Sequence, residues 1–425
     1  MKSKFCILIL TALLLAAARP APAQDKEDES EAAPGRRYPV NLSLYYPVSI
    51  NRSKQDRVNL NLSLLYGRVG YVSGLDFSFM ASGVEHRMEG IQICGLLAVA
   101  GESAQGWQSA GLIGVAGERF TGLQAAGLIS VAGEDLSGIQ LAGLLSVAGQ
   151  DGRWLQAAGL GSVSGESCRG AQLAGVFNVI GEKGSALQAS GLFNVIGERG
   201  RGVQAAGLFN VTGESFRGVQ AAGLFNVVGD KFKGLQMGGI NFAVRSEGVQ
   251  IGIVNCADKT RGLQLGLVNY ARRDNTGVSI GAVNIARNGS VRGVVWGGLG
   301  TAVSGGVRCR LGRTYSIASM GIGNLRDDIS GSVTYGFHYG LSFPTKRSEW
   351  GVDVGYRYRD NRPLFKHPDE QPDQHLLEAR LLWTRPLSGR ISLLLGVGVG
   401  RRFDAGRSID SGVTSPLLEA GLEFY

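Results

Sequence analysis

Between Gly74 and Val294 one short phrase is written again and again, and this regularity constrains the chain more than any single residue does. Glutamines recur at Gln92, Gln108, Gln124, Gln140, Gln156, Gln172, Gln188, Gln204, Gln220 and Gln236, each 16 residues after the last. The clearest copies are GVQAAGLFNVTGESFR from Gly202 and GVQAAGLFNVVGDKFK from Gly218. Later copies tighten: Gln236, Gln250 and Gln264 are 14 residues apart, and Ser279 takes the glutamine's place 15 residues on. A fixed period this short means one supersecondary unit set against its own copies, so the repeat decides the fold.

Within one copy, Val203, Ala205, Gly207, Phe209 and Val211 alternate with Gln204, Ala206, Leu208, Asn210 and Thr212. That predicts a strand of about ten residues with a dry face and a wetter face. Between copies stand GESFR, GERGR, GEDLS and GEKGS, each a glycine followed by charged and polar residues, as tight turns require. A helix is excluded, because a glycine every five or six residues costs roughly 1 kcal/mol each against alanine. With 66 glycines in 425 residues but none of the strict every-third spacing, the chain is not collagen-like.

Two architectures accommodate such a unit. In a meander each unit is a strand plus a turn with antiparallel neighbours, and a hairpin about Glu214 and Ser215 pairs Gly207 with Gly223, Gln204 with Asn226 and Asn210 with Gln220. In a solenoid each unit is a coil, and the Gln and Asn residues stack as ladders. The near-palindromic polarity of the phrase and its continuity with amphipathic strands at both ends favour the meander. The expected fold is therefore all-β, an antiparallel up-and-down transmembrane barrel of roughly 22 to 24 strands. The alternative is a β-solenoid repeat region joined to barrel strands.

The N-terminus carries an address. Lys2 and Lys4 precede an apolar run from Phe5 to Ala18, and Ala21, Pro22 and Ala23 supply a small-x-small cleavage signal before Gln24. This predicts a Sec-type signal peptide over residues 1–23, since the apolar run is too short to span a bilayer. Residues 24–37 read as a disordered polar leader. Residues 38–425 read as one barrel domain, with entry strands over 38–73, repeat strands over 74–294 and amphipathic strands over 295–425. Cys94, Cys168, Cys256 and Cys309 remain in the mature chain, too scattered for a CxxC metal site or a disulfide framework. The formal charge of +8 is spread among turns that also carry glutamate, with no basic run, so no nucleic-acid partner is expected.

Beyond the repeat, strands lengthen. Val333, Tyr335, Phe337, Tyr339, Leu341 and Phe343 alternate with Thr334, Gly336, His338, Gly340 and Ser342, and the strands around Trp350 and Leu377 behave alike. An apolar face opposed to one carrying charge and glycine is the pattern of a strand crossing lipid around a polar interior. The chain ends LLEAGLEFY, with Leu418, Ala420, Leu422 and Phe424 on one face and Tyr425 last. This ending resembles bacterial outer-membrane β-barrel proteins, which commonly finish on an aromatic residue. The resemblance implies the lipid bilayer and the outer-membrane insertion machinery as partners, the latter through Phe424 and Tyr425, in the outer membrane of a gram-negative bacterium. The Gly-x-Gln…Gly…Asn phrase is similar to surface-repeat proteins of such bacteria.

No catalytic constellation emerges. His338 and Ser342 share a face but stand about 13 Å apart, too far for a nucleophile and its base. His367 and His375, with Asp369, Glu370 and Asp373, read as a solvated loop without zinc-ligand spacing. GVGVG from Gly396 lacks the helix that a phosphate cradle needs. The expected function is a passive porin-like channel or a surface structural scaffold, with no cofactor, no metal and small solutes as possible passengers. The alternative is a surface solenoid presenting Gln and Asn ladders. The candidate lumen-lining residues are the ten repeat glutamines, Gln92 to Gln236 at 16-residue spacing, with Asp353, Arg357, Arg359, Glu378 and Arg380 as a charged sector.

Overall fold

Each 16-residue repeat forms one turn of a parallel coil. In the copy around Gln204 a longer strand, Arg199–Ala206, is followed by a shorter one, Phe209–Thr212. The computed structural model describes residues 35–51, 53–299, 302–322, 332–360, 373–405, 409 and 412–425. The expected signal peptide, its cleavage site at Ala23 and Gln24, and most of the polar leader lie outside the described residues. The chain divides into two compact units, Met1–Lys231 and Phe232–Tyr425.

Copies stack with like on like: Gln204 lies beside Gln188 and Gln220, and Asn210 beside Asn194 and Asn226. The antiparallel hairpin pairing is thereby corrected, and the large barrel of repeat strands with it. Glycine explains why the chain coils. A Cβ on Gly207 would lie 2.1 Å from the Gly191 carbonyl oxygen, and one on Gly213 1.9 Å from that of Gly197, so both corners admit only glycine. Gly218 bends the longer strand at φ 137°. The equivalent position in one coil is Trp154, held at φ 89°, where a bulky side chain is strained.

The amide face turns inward and the apolar face outward, as the lumen-lining assignment had it, but the inside is a packed core and not a lumen. Gln204, Asn210 and Thr212 are buried, whereas Val203 is 38% exposed and Phe209 and Val211 are half-buried on the exterior. The Phe rings of residues 177, 193, 209 and 225 stack outside the coils, 5.0–5.5 Å between centroids. The remaining core positions trade volume between walls. Phe120 and Leu136 face the small Ala116, Ala132 and Ala148, while Gly184 and Gly200 leave room for Ile180 and Ile196. Burial of this kind also pushes the Cys168 thiol up to about 11.

The core is built on hydrogen-bonded amides. Each glutamine donates through Nε2 to Oε1 of the glutamine one coil earlier, at 2.7–3.0 Å, from Gln220 back to Gln92. Asparagines donate the other way: Asn178 to Asn194, Asn194 to Asn210 and Asn210 to Asn226. The glutamine ladder ends on Asp76, whose Oδ2 accepts from Gln92 at 2.9 Å, while Oδ1 accepts from Asn61 at 2.8 Å. Asn61 in turn accepts from Asn41. Two ladders of opposite polarity therefore meet at one residue, and a carboxylate, with no proton to donate, satisfies both. Ser78 and Ser82 donate to the same carboxylate.

The second unit opens with the tightened coils. Gln250 donates to Gln236 and Gln264 to Gln250, while Asn241, Asn255, Asn269 and Asn284 form the companion ladder. Asn255 and Asn269 are core residues. Ser279 ends the glutamine ladder by donating to Gln264. Eight antiparallel strands follow, Gly289–Gly298, Val303–Leu311, Thr314–Ile322, Val333–Pro344, Glu349–Asp360, Gln374–Pro386, Ile391–Asp404 and Val413–Phe424, and they close into a barrel. Closure pairs Val295 of the first with Leu422 of the last. The Asn ladder ends on this barrel, where Asn284 donates to Ser316 Oγ at 2.8 Å and Leu311 packs on Ala271 and Ala286.

Replacing Asp76 with alanine strips two opposed amides of their acceptor, and we expect urea unfolding of the full chain in detergent to register a loss of about 2–4 kcal/mol. In the same assay Trp154→Gly relieves backbone strain and gains about 1 kcal/mol.

Candidate functional site in the barrel interior

The barrel wall obeys the alternation its sequence displays. Val291, Val295, Tyr335, Leu341, Val352, Val354, Leu381, Val397 and Leu422 point outward and are exposed, while Arg292, Arg308, His338, Asp353, Arg357 and Arg380 point inward and are buried. An interior of eight strands is just wide enough for side chains to fill. Here an ionic network shares the space with an apolar cluster of Val294, Trp296, Tyr315, Ile317, Leu382 and Leu394.

Arg380 is at the centre of one layer. Its Nε and Nη2 hold Asp353 in a fork at 2.9 and 3.1 Å, and its Nη1 reaches Glu419 at 2.9 Å. Arg357 Nη2 bridges Glu419 and Glu378, each at 3.0 Å, and His338 Nε2 meets Glu378 at 2.8 Å. A second layer joins Arg308 to Glu349 at 3.0 Å and to Glu423 at 3.4 Å, with Arg310 on Glu349 at 2.8 Å and Arg292 on Glu423 at 3.1 Å. Tyr315 ties the layers together, its ring 4.1 Å beneath the Arg308 guanidinium and its hydroxyl donating to Asp353 at 3.0 Å. Five guanidinium groups and five carboxylates are thus interlocked across the interior. Desolvated charges are tolerated only when paired this closely, and bidentate guanidinium–carboxylate geometry does it best.

The structure brings Asp353, Arg357, Glu378 and Arg380 into one network. Arg359 is buried nearer the strand end and donates to Gln374 at 3.4 Å. The ten repeat glutamines are not part of it: they fill coil cores and line no barrel lumen. Sequence reading missed Arg292, Arg308, Arg310, Tyr315, Glu349, Glu419 and Glu423. Glu419 and Glu423 were recoverable, since Leu418, Leu422 and Phe424 point outward and the residues between them must point in. His338 pairs with Glu378, and the distant Ser342 takes no part. His375 stacks on Tyr356 and Phe403, with Tyr356 Oη 2.5 Å from its Nδ1; His367, Asp369 and Glu370 lie outside the described residues.

The last strand is locked at its tip. Phe424 points outward, whereas Tyr425 lies under Arg292, whose guanidinium is 4.0 Å from the ring centre. Chemically the network is a plug and a brace, since every carboxylate in it already faces a cation.

Arg380→Ala leaves Asp353 buried without a cation and Glu419 with Arg357 alone. The expected loss is about 3–5 kcal/mol, read as a lower temperature for the folded-to-unfolded gel shift in detergent.

Comparison with known proteins finds no matching family model, no matching curated protein and no matching solved structure.

Proposed function

We propose that this chain is an outer-membrane protein in which the eight-stranded barrel is a lipid-embedded anchor and the repeat coils are a structural scaffold, without catalysis. The observation that carries the reading is the polarity of the barrel: aliphatic and aromatic side chains outside, an ionic network inside. In water such a wall exposes a continuous apolar belt; in a bilayer both surfaces are satisfied, because closure leaves no unpaired strand edge. The N-terminal export signal and the aromatic chain end support the same location.

Between a channel and a scaffold, the interior favours the scaffold. Conduction needs a continuous wet path, and the arginine–carboxylate layers fill the space that a porin leaves open. Phe424 and Tyr425 are the residues through which the insertion machinery would recognise the last strand.

The anchor reading predicts that the protein resists high-salt washing, requires detergent for extraction, and migrates faster unheated than boiled on gels. In planar bilayers, inserted protein is expected to show no sustained porin-like conductance. Release by washing overturns the anchor, and steady large openings overturn the plugged interior.

A further inference from the structure

We propose that the solenoid of the first unit docks on a phospholipid bilayer along its leucine corner. In nine successive coils, from Ile91 to Val228, the ten residues that start beside the bend and end at the second glycine corner contain no Asp, Glu, Lys or Arg. All such charges fall on the remaining six. Because the amides are turned inward, the outward residues of this stretch are apolar apart from Ser109. The corner presents exposed leucines such as Leu112, Leu144, Leu208 and Leu224, with the Val203 column on one flank and the Phe209 column on the other. Nine coils at a strand spacing of about 4.8 Å make this surface about 40 Å long. The N-terminal strands extend it with exposed Leu42, Leu64, Leu75, Phe77 and Phe79. Soluble surfaces rarely expose apolar patches beyond a few hundred Å².

The borders of the face identify lipid as the occupant. Trp154, 73% exposed, stands where the apolar wall meets the charged one, and the column next to its own carries Arg153, Arg169, Arg201 and Arg217. An indole with one apolar and one wet side, and guanidinium groups on long apolar stems, are the side chains that settle at the level of lipid headgroups. Trp154 holds that place in a backbone conformation that glycine occupies in neighbouring coils, so stability alone does not account for it. The face itself is ruled: each column repeats along the axis, with no outward charge to set a register against a protein partner. A fluid bilayer needs no register. The opposite border carries Glu118, Glu198 and Glu214, so the arginine border is the one drawn to anionic headgroups.

The proposal is independent of how the barrel sits in the membrane, and the test separates the two. Full-length protein carrying Leu208→Cys, Arg217→Cys or Val397→Cys is labelled with an environment-sensitive fluorophore and reconstituted into phosphatidylcholine–phosphatidylglycerol vesicles, with or without brominated acyl chains. Identically treated unsubstituted protein supplies the background. The expected result is that brominated lipid removes at least about half the emission at Leu208 and leaves Arg217 unchanged. A label at Leu208 that stays bright in brominated lipid overturns the proposal: quenching by aqueous iodide then marks it as water-facing, and shielding from both quenchers marks a protein cover. Val397, on the barrel exterior, reports the anchor alone. If it stays bright, the anchor reading falls, and Leu208 still decides docking by itself.

Discussion

A buried amide must be matched, and in this chain the match for each glutamine is the same glutamine one coil away. An amide carries a donor and an acceptor on opposite sides of one plane, so identical side chains stacked at strand spacing satisfy one another without water. An isolated buried amide costs roughly 1–3 kcal/mol, so a stack satisfied along its length is a demanding constraint: every copy must present glutamine, or a substitute such as Asp76 or Ser279, at the same place. The 16-residue period, the glycine corners and the parallel register all follow from keeping these side chains aligned. The direction of donation matters as well. Glutamines donate backward and asparagines forward, and where the ladders from Gln92 and Asn61 converge, only an acceptor on both sides completes them.

The barrel applies the same rule with charge in place of amide dipoles. Its interior holds arginines forked onto carboxylates, and Tyr315 links one layer to the next. Apolar surface then lies outside, apart from the cluster around Trp296 and Ile317 that packs within. The two halves of the chain therefore share an inverted plan, polar and satisfied within, apolar without. The barrel does this by alternation along antiparallel strands, and the coils do it by stacking.

This explains how much of the molecule was legible in the sequence. The terminal strands were readable because apolar residues on one side and charged ones on the other give a contrast of large magnitude at period two; Val354 and Asp353 sort themselves. The repeat was readable as strand and turn, and its glutamines as facing inward, but the space they face was read as a lumen and is a stacked core. Alternation around Gln204 was genuine, yet ordinary reasoning leaves inward amides to the water of a lumen, because a single amide costs free energy to bury. Stacking removes that cost, and stacking is a property of many copies. The signal for it was present in the identity of phase: a meander has no need of the same residue at the same place in every strand, whereas a coil whose core is an amide ladder does. Three recurring glycines per unit, at Gly202, Gly207 and Gly213, marked a bend and two corners where a meander needs only one turn. The compensation between Gly200 and Ile196 was invisible, since those residues come together only once the coil is closed.

The most direct test of the account is the register of neighbouring copies. In an otherwise cysteine-free chain, Val203→Cys with Val219→Cys places two outward thiols side by side if the copies run parallel, because Val203 pairs with Val219. Val203→Cys with Val227→Cys places them together only if the copies fold back as a hairpin about Glu214 and Ser215. A short bis-thiosulfonate reagent is expected to link the first pair within one chain and leave the second unlinked. Linkage of the second pair and not the first would contradict the stacked amide core and everything derived from it.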